Sequence, residues 1–218
     1  MSNDDLLKQL LPENEQSKLT DKQRKILESA IEVFAEKGFA ATSTNEIAKR
    51  AGVAEGTIFR HYKTKKELLA AVVTPLLSKM VAPFLLKDFK RDVFEKEYAS
   101  YSDFLRKLIE NRLKFARSHV QLLKILVQEI AFQPEFKAAY IEIFQENIFP
   151  LFKSVVTYFK EKGELKDIPE ETIIRLTIST IVSTIVTRII ILNDQSLDEE
   201  EYVNETIHFM MNGLGSKS

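Results

Sequence analysis

Residues 54 to 66, AEGTIFRHYKTKK, set Glu55, Thr57, Arg60 and His61 on the outer side of one short predicted helix, with Lys63, Lys65 and Lys66 directly after it. That chemistry is recognition rather than bond-making. The planar fork of Arg60 matches the O6 and N7 acceptors of guanine, or holds phosphate. Thr57, His61 and Tyr62 can meet a sugar-phosphate backbone, and the lysines add charge. Glu55 has two readings: it accepts from the N4 amine of cytosine, or it complements the helix dipole. His61 has no nucleophile or carboxylate near it in sequence to make it a catalytic base. No carboxylate pair, triad or phosphate loop stands out elsewhere, so no enzyme is predicted. Zero cysteines and only three dispersed histidines (His61, His119, His208) predict neither disulfides, a metal site nor a cofactor.

Two short helices with a tight turn position these groups. Ser43 caps the first and Glu46 is expected to reach back as its capping-box partner. That helix runs to about Ala51, burying Ile47, Ala48 and Ala51, and Gly52 makes the turn. Val53 enters the core. The second helix spans about Ala54 to Tyr62, with Ile58 and Phe59 facing inward. A helix from Thr20 to Gly38 precedes the pair, burying Ile26, Leu27, Ala30, Val33 and Phe34. Thr64 to Glu67 forms another capping box and opens a fourth helix through Leu68, Leu69, Val72, Val73, Leu76 and Leu77. Pro75 and Pro83 predict a bend or an early end there. This is a helix-turn-helix, in which one helix packs and the next is offered to the major groove of DNA.

Charge follows the same division. The chain of 218 residues carries a net charge of −1. Residues 20–69 hold ten Lys/Arg against seven Asp/Glu, and 49–66 hold six basic residues against Glu55 alone. Local charge sets phosphate affinity, so a basic head on an acidic body fits a DNA-binding module joined to a different one. The expected division is an arm over 1–19, a DNA-binding domain over 20–66 and a second domain over 67–218. The arm carries Leu6, Leu7, Leu10 and Leu11 ahead of Pro12, and is not basic. Asp4 and Asp5 stand where a signal peptide would be basic, which predicts a cytoplasmic protein.

From Ser43 to Leu69 the sequence closely resembles the DNA-binding signature of the tetracycline-repressor (TetR) family. The matching residues are Ile47-Ala48, Ala51-Gly52-Val53, Gly56-Thr57-Ile58-Phe59, His61-Tyr62 and Lys65-Lys66-Glu67-Leu68-Leu69. Ala30, Phe34, Gly38, Phe39 and Ala41-Thr42-Ser43 extend the match to about fifty residues. The resemblance implies a three-helix head, a linking fourth helix and a helical body for ligand binding and dimerisation. It also implies a homodimeric repressor released from a palindromic operator by a small molecule. On it, Thr44, Ala54, Glu55, Gly56, Thr57, Arg60, His61, Tyr62 and Lys65 are the DNA-facing set, with Lys65 clamping phosphate at the start of the fourth helix. Two residues depart from the pattern. Ala54 replaces the usual Ser or Thr, a loss of a capping oxygen worth ~1 kcal/mol. Phe59 replaces a common Tyr and its hydroxyl, which leaves affinity to Thr57, His61, Tyr62 and Lys65.

Beyond the head the pattern stays helical, over 101–117, 119–132, 135–162, 169–193 and 198–213, so the fold is predicted all α. Pro150 should kink the long third segment, Gly163 should end it, and Pro169 should sit in the first turn of the next. Residues 173–192 are long enough to span a membrane, but Arg175 and Arg188 interrupt them. Thr177, Thr180, Thr184 and Thr187 fall on one stripe that would let a second helix approach. A homodimer interface over 169–193 and 198–213, with Tyr202, Ile207, Phe209 and Met210, explains both features, and no membrane partner is predicted. Phe104, Phe115, Phe132 and Phe144, with Arg112 and Arg188 turned inward to hold an acidic group, would line a site for a small hydrophobic effector. A rival reading keeps the head's shape but uses it to bind protein, as a helical scaffold. Another within the same class is an activator.

Overall fold

The computed structural model describes residues 19–80, 90–194, 196 and 198–214, with side chains omitted at 76–80 and 214. The expectations for the arm before Leu19 and for Pro83 lie outside the described residues, as do those for the Leu76 and Leu77 side chains. Among the described residues the chain is all α, without a β-strand. The elements are α1 (Asp21–Ala41), α2 (Thr44–Ala51), α3 (Glu55–His61), α4 (Lys65–Met80), α5 (Tyr101–Ser118), α6 (Val120–Glu129), α7 (Pro134–Ile143), α8 (Phe149–Glu161), α9 (Glu170–Thr184) and α10 (Glu199–Leu214).

The chain forms two compact units. One holds α1 to α4 together with His119–Ile141, and the other holds α5 and the chain from Glu142 onward. In the first unit Ile26, Ala30, Val33 and Phe34 of α1 pack with Ile47 and Ala48 of α2, Ile58 of α3, and Leu68, Leu69, Val72 and Val73 of α4. Leu122, Ile125 and Leu126 of α6 and Phe136 of α7 join the same core. Helix α6 therefore packs on α1 as a member of this unit.

Helix starts and stops follow capping chemistry. The Thr20 side chain accepts from the Gln23 amide while Gln23 reaches back to Thr20, a complete capping box. Gly38, at φ 74° and ψ 166°, breaks α1 before a last turn ends at Ala41. Gly52, at φ 67° and ψ 34°, ends α2 in the left-handed conformation that glycine adopts without a Cβ penalty. Val53 is only partly buried at the edge of the core. Ser43 caps α2 as expected, but Glu46 does not return to it. Its carboxylate lies 2.5 Å from Lys37 Nζ on α1, because that partner brings a full charge.

The prolines behave differently from one another. Pro75 sits inside α4, which continues to Met80 rather than ending early. Before Pro150 the helix widens to a π-turn over Phe144–Ile148, in which the Phe149 amide donates to the Phe144 carbonyl. A proline at 150 cannot donate to the carbonyl four residues back and would clash with it, so the wider turn relieves both problems. Pro169 takes the position before Glu170, the first residue of α9.

In the second unit Tyr101, Phe104, Phe152 and Phe159 are almost fully buried, their rings meeting each other and Phe94 edge-on or tilted at 5.2–6.3 Å. The Tyr101 hydroxyl lies 3.2 Å from Thr177 Oγ1, and burial pushes its pKa up to about 12. Thr177 and Thr184 are thus turned inward, Thr184 toward the Tyr202 hydroxyl, and do not share an open stripe with Thr180 and Thr187. The latter two donate to the carbonyls four residues back. The open side of α9 instead carries Leu176, Ser179, Val182 and Ser183. Ile207 and Met210 of α10 are buried, while Phe209 is 76% exposed.

The conformation of Gly38 lies in a region that is essentially glycine-only. Gly38→Ala should destabilise the first unit by about 1–3 kcal/mol, read as a lower urea midpoint at unchanged slope. An unchanged midpoint would mean that α1 does not need this break.

Candidate nucleic-acid interface

Helix α3 is two turns long, and its inner side is set by burial of Ile58 and Tyr62. Desolvation and the charge of Glu67 push the Tyr62 phenol up to about 12, so it stays neutral. Neither Thr57 nor Phe59 faces as the sequence predicts. Thr57 is buried at 6% exposure, and its Oγ1 accepts from Arg60 Nη2 at 3.2 Å. Phe59 is 45% exposed. In so short a helix, rotation about the axis is set by Ile58 and Tyr62, and that rotation turns Phe59 out. Ala54, Gly56, Arg60 and His61 are exposed, and Glu55 and Thr44 partly so. The missing cap at Ala54 is real, since its side chain makes no capping hydrogen bond.

Glu55 ties the two helices of the motif together. Its carboxylate accepts from Thr44 Oγ1 at 2.5 Å and from Asn45 Nδ2 at 3.4 Å, both in the first turn of α2. This bridge joins the packing helix to the presented helix beside their shared apolar core, and it occupies the hydroxyl of Thr44. Arg50 is equally committed. It grips Glu36 of α1 in a two-point pair at 2.8 and 3.0 Å, with Glu32 at 3.4 Å.

The Lys65 ammonium donates to the carbonyls of Phe39 and Thr42, each at 2.7 Å, and lies 4.4 Å from the centre of the Phe39 ring. In this structure it holds the end of α1 to the start of α4. Thr42 Oγ1 adds a 2.7 Å bond to the Gly38 carbonyl. From the other side Glu129, buried on α6, accepts the Phe39 amide at 3.2 Å. Sequence reasoning missed Glu129. The available signal was an acid in line with Leu122, Ile125 and Leu126 on an apolar helical stripe. Lys49, Arg60, His61 and Lys63 remain exposed on or beside the motif.

Residues 26–72 match the family model for bacterial regulatory proteins of the tetR family. The chain is a TetR-family regulator of transcription. Over 203 residues it is 25% identical to a fatty acid metabolism regulator protein of Bacillus subtilis, covering 90% of this chain and 97% of that one. A 71-residue stretch is 41% identical to an HTH-type transcriptional repressor of Mycobacterium tuberculosis, 33% of this chain and 37% of the other. The crystal structure of the regulator FadR from Bacillus subtilis in complex with stearoyl-CoA superposes with a TM-score of 0.61 at 25% identity, covering 87% of this chain and 97% of that one. This TetR-family chain thus shares fold and length with DNA-binding regulators.

The proposed effector residues separate in the structure. Phe104 and Arg112 are buried in the second unit, and Phe115 and Phe144 are partly buried. The Arg112 guanidinium lies 5.0 Å from the Phe115 ring centre, and desolvation draws its pKa down to about 9. Phe132 and Arg188 do not turn inward. Phe132, just past the end of α6 in the first unit, is 79% exposed, and Arg188 pairs with Asp194 at 2.9 Å. A partly buried aspartate in reach satisfies the Arg188 cation at the surface, without the cost of burying it.

Lys65→Met should lower the stability of the first unit by about 1–3 kcal/mol, because two carbonyls lose a charged donor. A phosphate clamp alone would leave the denaturation midpoint unchanged while DNA affinity fell.

Proposed function

We propose that the chain is a homodimeric repressor whose two α3 helices enter successive major grooves of a pseudo-palindromic operator, and that a long-chain acyl-CoA releases it. The carrying observation is the outward face of α3, held by the Glu55 bridge within the segment that matches the family. Arg60 is the base reader, with Gly56, His61 and Ala54 on the same exposed surface. Exposed Lys49 and Lys63 meet phosphate. Lys65 acts by holding the head together, and Thr44 and Glu55 by joining α3 to α2. Buried Thr57 and Tyr62 act by positioning Arg60 and the helix.

Dimerisation through α9 and α10 is supported by the open apolar side chains Leu176, Val182 and Phe209. Glu170–Ile191 is also long and apolar enough to cross a membrane. The arginines at 175 and 188 and the regulators it resembles favour the dimer face, and the cytoplasm as the place of action.

The acyl-CoA assignment rests on the FadR likeness together with the chemistry of the second unit. An aromatic interior suits an acyl chain, and a desolvated guanidinium at Arg112 suits an anionic group. Head separation must match a groove spacing of ~34 Å, so a small shift releases DNA. Release also requires that the effector bind the free protein more tightly than the DNA-bound one.

Selection from a random duplex pool should yield a palindrome bound as a dimer, with affinity falling steeply as salt rises. Added stearoyl-CoA should release that duplex, and an Arg112→Met variant should bind DNA but need far more effector. Weak binding to every sequence would favour the protein-binding scaffold instead. Selection without release would remove the effector assignment alone.

A further inference from the structure

The presented face of α3 combines two features that the fold itself does not explain. Phe59 is 45% exposed although burying such a ring ordinarily gives a clear gain. Gly56, one turn earlier on the same side, is exposed, lacks the positive φ that would demand glycine, and would meet nothing within 4 Å if it carried a Cβ. Glycine inside a helix is unfavourable relative to alanine. Neither backbone strain nor crowding inside this unit accounts for it. The pair makes a bare turn of helix beside an aromatic plate, with Arg60 next to it.

An occupant for that space is set by what the face meets. Hydrogen-bonding groups line most of the major-groove edge of every base pair, and its one apolar base substituent is the C5-methyl of thymine. Phosphate offers a phenyl ring nothing comparable. Glu55 is engaged with Thr44 and Asn45, so its charge is drawn back toward α2.

We propose that Phe59 reads the C5-methyl group of one thymine in each half-site, with the duplex brought close at the gap left by Gly56. This rests on the DNA-binding reading and adds a sequence preference to it. Specificity at that position comes from apolar contact rather than from hydrogen bonding.

The test takes the duplex selected from a random pool and replaces each thymine of a half-site singly by deoxyuridine. Base pairing is kept and one methyl is removed. One position should cost the unaltered protein about four-fold in affinity, the scale of one buried carbon. Phe59→Ala should be indifferent to the methyl at that position and keep any other sensitivity. A selected half-site without thymine, no responsive position, or a response that persists in Phe59→Ala would overturn the proposal. Because Phe59 is exposed, the variant should keep the fold, and the scan of the unaltered protein can overturn the proposal without it. A palindromic, salt-steep site that ignores every methyl overturns only this inference. Failure to select any duplex overturns the DNA-binding reading, and this proposal with it.

Discussion

The first helix is broken at Gly38, and the peptide after the break is where the head is tied together. Phe39 offers an amide that a continuous α-helix would have bonded within itself, and a last-turn carbonyl that also accepts the Thr42 amide at 3.3 Å. Glu129 takes the amide from α6, and Lys65 takes the carbonyl from α4. The Phe39 ring lies against Phe34, with centroids 5.9 Å apart, and under the Lys65 ammonium. Buried polar groups need partners, so each of these bonds is costly to leave unmade. Ser43, which starts the helix-turn-helix, follows this junction by four residues. The placement of the presented helix therefore depends on a glycine, an acid and a lysine that lie outside it.

Charge in the head divides along the same line. The basic excess over 49–66 overstates what a polyanion would meet. Arg50 is spent on Glu36 and Glu32, which hold its pKa up, and Lys65 on carbonyls. Lys66 pairs with Glu135 of α7 at 2.7 Å, an exposed pair of small energetic value. Glu46 and Glu55 likewise serve structure. Exposed on or beside the motif and outside those pairs are Lys49, Arg60, His61 and Lys63, a smaller surface with a sharper shape.

Most of the head was legible because its rules are local. Apolar spacing in α1 and α4, the Ser43 and Thr64 caps and the left-handed Gly52 each depend on residues within one or two turns. Ile47, Ala48, Leu68 and Val72 are buried as their spacing predicts. The errors came where a second element decides. Thr57 and Phe59 flank Ile58, and seven residues give too few turns to fix which side faces inward. The carbonyls that take up Lys65 lie more than twenty residues away, and the Phe39 amide that takes up Glu129 is ninety away. The inward and outward threonines of α9 follow the same logic, since Tyr101 and Tyr202 choose among hydroxyls that the stripe made equivalent. Phe132 was grouped with the body by composition alone, and it stands exposed past the end of α6.

Hydrogen exchange in Glu129→Ala tests the dependence of the presented helix on this junction most directly. The Phe39 amide and those of residues 55–62 should lose protection together, while amides of α5 in the second unit keep theirs. Loss confined to Phe39 and its neighbours in α1, with α3 unchanged, would show that the helix-turn-helix is placed without the junction and would contradict the account.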